Sequence, residues 1–101
     1  MANAIYYVSY KLKKDVSVPD FLLAAERLND EHISKQAGFV SWKQMVDGDT
    51  WADMCTFETV DDLKHFEQVS QNPGEAALNF YSFINLSSCK GHKFIVEKTY
   101  E

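Results

Sequence analysis

The four residues Asp47-Gly48-Asp49-Thr50 stand between two strand-like runs, residues 39–47 and 50–58, and this junction constrains the fold more than any other stretch. An Asp-Gly step is a strong β-hairpin signal, because glycine takes a positive φ without steric cost. With Gly48-Asp49 as the loop, Asp47 opposes Thr50 and the register of the pair follows. One face then carries Val46/Trp51, Gln44/Asp53, Trp42/Cys55 and Val40/Phe57. The other carries Met45/Ala52, Lys43/Met54, Ser41/Thr56 and Phe39/Glu58. The first face is the more apolar and is expected to meet helices. The second still holds Met45, Met54, Phe39 and Ala52, more apolar surface than free solvent suits.

The rest of the chain supplies the missing elements. Residues 4–13 are aromatic and β-branched enough for a strand, with Tyr6, Val8, Tyr10 and Leu12 on one side and Ile5 and Tyr7 on the other. Ser17 reads as an N-cap, with Pro19 in the first turn and Asp20 three residues on. The helix it opens is expected to run to about Lys35, with an apolar stripe of Phe21, Ala25, Leu28 and His32. Thr59 caps a second helix over 60–71, whose inward residues are Val60, Leu63, Phe66 and Ser70. A short helix is expected over 75–84, a loop over 85–91, and a last strand from His92 to Tyr100. The order β-α-β-β-α-β predicts a single ferredoxin-like α+β domain over residues 1–101, an antiparallel four-stranded sheet with helices on one face. A sheet apolar on both sides, with helices for only one, needs a second layer. Another copy of the chain, packed sheet on sheet, is the expected source, which makes a homodimer through the second face.

Composition removes other classes. Acidic residues outnumber basic ones 15 to 10, the formal charge is −5, and Arg27 is the lone arginine, so a nucleic-acid partner is not expected. No apolar stretch approaches the roughly 20 residues of a membrane helix, so no membrane partner is expected. The stretch Met1-Ala2-Asn3-Ala4-Ile5-Tyr6-Tyr7 has neither a basic start nor a cleavage site. Cys55 and Cys89 are too few for a disulfide framework and read as free thiols in a reducing compartment, so a cytoplasmic location is expected. His32, His65 and His92 are 33 and 27 positions apart, and no GxGxxG or P-loop occurs, so neither a metal nor another cofactor is expected.

Several residues stand out chemically. Alternation puts Asp53 on the helix face between Trp51 and Cys55, where a carboxylate is costly. It is either a buried acid of raised pKa, suited to general base work, or a strand-end carboxylate that reaches water and hydrogen-bonds Gln44. His32 is either a pocket base near a helix C-terminus or a core-edge histidine satisfied by a carbonyl. Trp42 and Trp51 are either core packing or a stacking surface for a planar aromatic ligand, and Tyr7 and Tyr10 carry a weaker form of that argument. His92 could reach a pocket mouth, whereas His65, four residues after Asp61, reads as a surface pair. Cys55 reads as an unreactive strand residue.

The chain resembles the dimeric α/β-barrel group, near the antibiotic-biosynthesis-monooxygenase-like domains. The matching pieces are Gln36-Ala37-Gly38-Phe39, the run from Cys55 through Thr56-Phe57-Glu58-Thr59-Val60-Asp61-Asp62 to Leu63, and Gly91-His92-Lys93-Phe94-Ile95-Val96-Glu97. The resemblance implies a homodimer with a ligand cavity between sheet and helices in each subunit, and a family that includes cofactor-independent oxygenases of aromatic polyketides. Its haem-degrading branch uses Asn, Trp and His where this chain offers Val8, Phe57 and Ala77 or Leu78, so haem degradation is not expected. The functional expectation is a cofactor-independent monooxygenase-like enzyme acting on a small aromatic or quinone-like molecule. Asp53 and His32 are its candidate catalytic residues, and Trp42, Gln44, Trp51, Tyr7 and His92 its candidate ligand contacts. The alternatives are a dimeric module that binds or responds to a small ligand without turnover, and a purely structural role. Asp53, Gln44, Trp42 and His32 are expected to border one cavity, which the enzyme and the binding module both need and a purely structural role does not.

Overall fold

A computed structural model describes residues 2–101. Met1, the first residue of the stretch read above for a leader, lies outside the described residues. In chain order the elements are β1 (Ala4–Leu12), α1 (Val18–Glu31), β2 (Phe39–Asp47), β3 (Thr50–Phe57), α2 (Val60–Ser70), α3 (Glu75–Tyr81) and β4 (Ile84–Ile95). The strands form a four-stranded sheet in the order β2-β3-β1-β4, antiparallel at every pairing. The arrangement is ferredoxin-like α+β.

The hairpin is closed as its turn residues require. Gly48 has φ +61°, and pairs from Asp47/Thr50 back to Ser41/Thr56 keep the expected register. The register shifts between Phe39 and Ser41, so Phe39 faces Phe57 and not Glu58. This bulge at Val40 turns Phe39 onto the helix face, where its ring meets Phe57 edge-on at 6.3 Å. The expected pairs Val40/Phe57 and Phe39/Glu58 are therefore replaced by one.

Both helix caps form at the expected residues. The Ser17 hydroxyl accepts from the Asp20 amide at 3.3 Å, and the Thr59 hydroxyl accepts from the Asp62 amide at 3.1 Å. Thr59 also donates to Asp62 Oδ2 at 2.8 Å. The Asp62 side chain fills the space that a Cβ on Gly38 would need, and Gly38 itself has φ +74°. Glycine is thus required there twice over, by the backbone and by its neighbour.

Four boundaries differ clearly from expectation. α1 stops at Glu31, and Ile33–Lys35 tightens into a 3₁₀ turn that buries Ile33. α3 stops at Tyr81, which releases Ile84 into the sheet. Residues 85–91 are not a loop, because β4 already begins at Ile84; it also ends at Ile95, short of Tyr100. This segment looked like loop because β4 is an edge strand with polar, exposed side chains. It also carries a large bulge: β1 advances from Lys11 to Ser9 while β4 advances from Asn85 to Lys90. The intervening residues, Leu86 to Cys89 against Tyr10 alone, are anchored where the Lys11 amide donates to Ser88 Oγ at 2.8 Å.

The helices cover the face that carries Tyr10, Cys55 and Phe57. Phe21 of α1 is fully buried, stacks on Phe80 of α3 at 5.2 Å and meets Trp51 edge-on at 5.2 Å. The opposite face has no helix over it. Met45 and Phe94 stay 40% and 51% exposed there, enough apolar surface to call for a second layer.

Candidate active site

A cavity of about 240 Å³ lies between the sheet and the helices. Val8, Leu28, Ile33, Phe80 and Ile84 supply apolar wall, and Leu86 and Cys89 come in from the β4 bulge. Asp53 is the charged residue among those described in this lining. Its place follows from the strand pairs: β3 runs between β1 and β2, and Asp53 is opposite both Val8 and Gln44.

Asp53 is 6% exposed, and its Oδ1 accepts a hydrogen bond from the Tyr10 hydroxyl at 2.8 Å. It is the buried acid, then, and not a strand-end carboxylate in water. Burial pushes its carboxyl up to about 7, although hydrogen bonding from Tyr10 and from Trp42 pulls the other way. The desolvation cost of the anion exceeds what two donors return. Tyr10 is shifted far above the ordinary phenol range, by burial first and then by the charge on Asp53. Tyr10 therefore keeps its proton and remains a donor. Cys55, in the same lining, is pushed up to about 12 by burial and then by Asp53. As a neutral thiol it contributes bulk and no nucleophile.

The other candidates separate. Trp42 borders the cavity, with its ring edge-on to Phe80 at 5.5 Å. Gln44 does not; it lines a shallow groove with Leu22, Asn29 and the outer side of Trp42. Its amide comes close enough to temper the Tyr10 shift, yet Nε2 is buried without a hydrogen bond of its own. His32 does not border the cavity either. It caps α1, its Nδ1 lies 3.3 Å from Gln36 Nε2, and it borders a crevice of about 20 Å³ behind Leu28, Ile33 and Phe66 and a separate surface pocket of about 260 Å³ with Arg27, Glu31 and Glu75. The expected four-residue border is thus reduced to Asp53 and Trp42. Trp51 packs on Phe21 at the end of the core, outside the cavity lining.

Tyr7 and His92 lie on the uncovered face, opposite one another in the β1/β4 register. Their rings are 6.5 Å apart, and His92 stacks on Phe94 at 5.5 Å. Neither reaches the cavity, because side chains alternate and Tyr6 and Val8 already take the inner positions. The residues that sequence reasoning passed over are Tyr6, Tyr81 and the donor role of Tyr10. The available signal was the shared side of Tyr6, Val8 and Tyr10; the missing piece was how β1 registers against β3.

This arrangement offers one proton acceptor, held by a permanent donor, inside an apolar and aromatic chamber. A group with a pKa near 7 takes a proton from an acidic carbon or phenol and returns it within one cycle. Among the described residues no cluster of three His, Cys, Asp or Glu side chains is placed to hold a metal ion. No described helix is long and apolar enough to cross a membrane.

No family model matches the chain, and no curated protein matches it. Solved structures do. SnoaB from Streptomyces nogalater, a cofactor-independent oxygenase, aligns with a TM-score of 0.74 at 12% identity, covering 98% of this chain and 97% of that one. The monooxygenase from the ActVA-Orf6 gene of Streptomyces coelicolor, in complex with nanaomycin D, aligns at TM-score 0.69 and 11% identity over 99% of this chain and 92% of that one. A dimeric ferredoxin-like protein from an uncultured marine organism aligns at TM-score 0.67 and 8% identity over 100% of this chain and 93% of that one. At such identities the likeness is one of fold. The chain has the ferredoxin fold of the antibiotic-biosynthesis-monooxygenase-like proteins.

Proposed function

We propose that the protein is a cofactor-independent monooxygenase that binds a small aromatic or quinone-like molecule in the cavity and uses Asp53 as its general base. The observation that carries this reading is the buried Asp53 carboxyl, shifted to about 7, in the wall of an apolar chamber and hydrogen-bonded by Tyr10. A structural acid would gain nothing from such a place, since a buried carboxylate costs stability. The description of SnoaB as a cofactor-independent oxygenase supports the same reaction class.

In the reaction, Asp53 removes a proton from an activated CH₂ or phenol of the bound ring. The resulting anion gives one electron to dioxygen, and the two radicals combine into a peroxide on the ring carbon. The protonated Asp53 returns its proton to the peroxide. Loss of water then leaves a carbonyl, so one oxygen atom ends in the product and one in water. Tyr10 and Trp42 steady the ionised carboxylate between turnovers. His32, behind Leu28 and Ile33, takes no part in this scheme.

The working unit is a homodimer joined through the uncovered sheet face, where Ile5, Tyr7, Met45, Met54 and Phe94 leave apolar surface without a partner. The marine ferredoxin-like neighbour is itself described as dimeric. Both cysteines are free, which suits a reducing compartment such as the cytoplasm. Oxygen uptake with anthrone tests the enzyme reading. Uptake above the uncatalysed rate supports it, and tight binding without uptake replaces it by the non-catalytic ligand-binding module.

A further inference from the structure

The inner cavity lies just under the usual size of a small-molecule site, which leaves room for a larger ligand to extend beyond it. Small-molecule sites usually enclose about 300–1,000 Å³, and the cavity around Asp53 has about 240 Å³. A second space of about 310 Å³ adjoins it, lined by Tyr6, Phe66, Glu67, Ser70, Gln71 and Tyr81. The two share Tyr6, Phe66 and Tyr81, so these three rings stand on the border between them. Tyr6 meets Phe66 edge-on at 6.2 Å, and both tyrosine hydroxyls are shifted upward, by burial first, so they stay protonated donors.

The chemistry differs on the two sides of these rings. Beyond the shared rings, the inner lining is mostly apolar, with Asp53, the Tyr10 hydroxyl and the Trp42 indole as its main polar groups. The lining that belongs to the outer groove alone is polar throughout: Glu67, Ser70 and Gln71. Glu67 is already paired with Lys93 at 2.9 Å, so the outer groove offers hydrogen-bonding capacity with its charge balanced. A carboxylated arm would meet Glu67, and a cationic arm would compete with Lys93. A neutral arm with several hydroxyls has neither problem.

We propose that the ligand has two parts: a flat aromatic body in the inner cavity, and a neutral hydroxyl-rich arm, of sugar or polyol type, in the outer groove lined by Glu67, Ser70 and Gln71. The inference rests on the inner cavity being the aromatic site, and adds the class of substituent that the site selects. Ser70 and Gln71 at the end of α2 are specificity residues, since they touch the arm and not the reacting ring.

The test is calorimetric titration of the full-length protein with 1-naphthol and with 1-naphthyl β-glucoside. Wild type is expected to bind the glucoside on the order of tenfold more tightly, the scale of one or two net hydrogen bonds. Ser70→Ala/Gln71→Ala is expected to abolish that advantage and leave the naphthol affinity unchanged. Gln71 is exposed and Ser70 half-buried, so the fold survives, and an unchanged melting temperature checks this. Equal affinity of wild type for the two compounds overturns the outer-groove proposal alone. A double variant that weakens both compounds equally does the same. Failure of both compounds to bind wild type overturns the inner aromatic site as well.

Discussion

The Tyr10 hydroxyl and the Asp53 carboxylate are joined by a 2.8 Å hydrogen bond between adjacent strands, both side chains being buried. The two are diagonal neighbours, since Tyr10 is directly opposite Trp51 and Asp53 directly opposite Val8. Diagonal side chains on one sheet face are within reach of a long aromatic residue. The bond ties the Asp53 carboxyl to Tyr10 and favours its ionised form against the larger opposing effect of burial.

Tyr10→Phe should therefore raise the Asp53 pKa above its value of about 7, because a donor to the anion is lost while burial is kept. The ring still packs on Phe21, so the fold should survive at a cost of roughly 1.5–3 kcal/mol, the range for a hydrogen bond to a charged group. The readout is the pH profile of kcat/KM, whose acid limb should move to higher pH. An unmoved limb would show that Tyr10 does not act on Asp53.

Stability should depend on pH through the same group. The folded-state pKa of Asp53 is raised from 3.8 to about 7, so between those values the folded protein binds a proton that the unfolded chain has lost. Stability from this group is complete below pH ~4, falls as pH rises to about 7, and is flat beyond, by up to roughly 4 kcal/mol. Asp53→Asn removes the dependence. The variant should melt higher than wild type at pH 8, and the gap should shrink as pH falls toward 4. A constant gap would place the carboxylate in water.

How much of this was open to sequence reasoning differs by residue. Asp47-Gly48 fixed the hairpin register, and alternation along each strand, with the more apolar side turned inward, placed Asp53 and Trp42 on the helix face. It failed at Phe39, where a bulge is invisible to alternation. Tyr7 and His92 were offered as ligand contacts against the alternation already visible in β1, and they lie outside the cavity. His32 kept its place on the α1 stripe, but the helix stops one residue before it and the ring falls behind Leu28. The Tyr10–Asp53 bond joins residues 43 apart, and depends on a β1/β3 register that no local signal encodes.

The backbone at Gly38 gives a separate check of the fold. Its φ of +74° disfavours any side chain, and the Asp62 carboxylate occupies the space a Cβ needs. Gly38→Ala should destabilise the protein by about 2 kcal/mol or more in chemical denaturation. Asp62→Ala in the same chain should relieve the clash and leave the backbone strain. An unaffected Gly38→Ala protein would contradict the packing of this turn on α2.

The dimer proposal has its own measurement. Wild type should scatter light as twice 11.6 kDa at micromolar concentration. Met54→Asp, half-buried on the uncovered face, puts a charge into the interface and should give monomers or insoluble protein. A wild-type mass of 11.6 kDa would rule the proposal out.

The central claim is that Asp53 is the base of an oxygenase, and oxygen uptake with anthrone in Asp53→Asn tests it most directly. Wild type should consume one dioxygen per anthrone and yield anthraquinone and water. Asp53→Asn keeps the shape of the cavity and should bind anthrone with similar affinity. Its turnover should fall by roughly 10²–10⁴-fold, the scale of a lost general base. A variant that turns over anthrone at the wild-type rate, or a wild type that binds it and consumes no oxygen, would contradict the account.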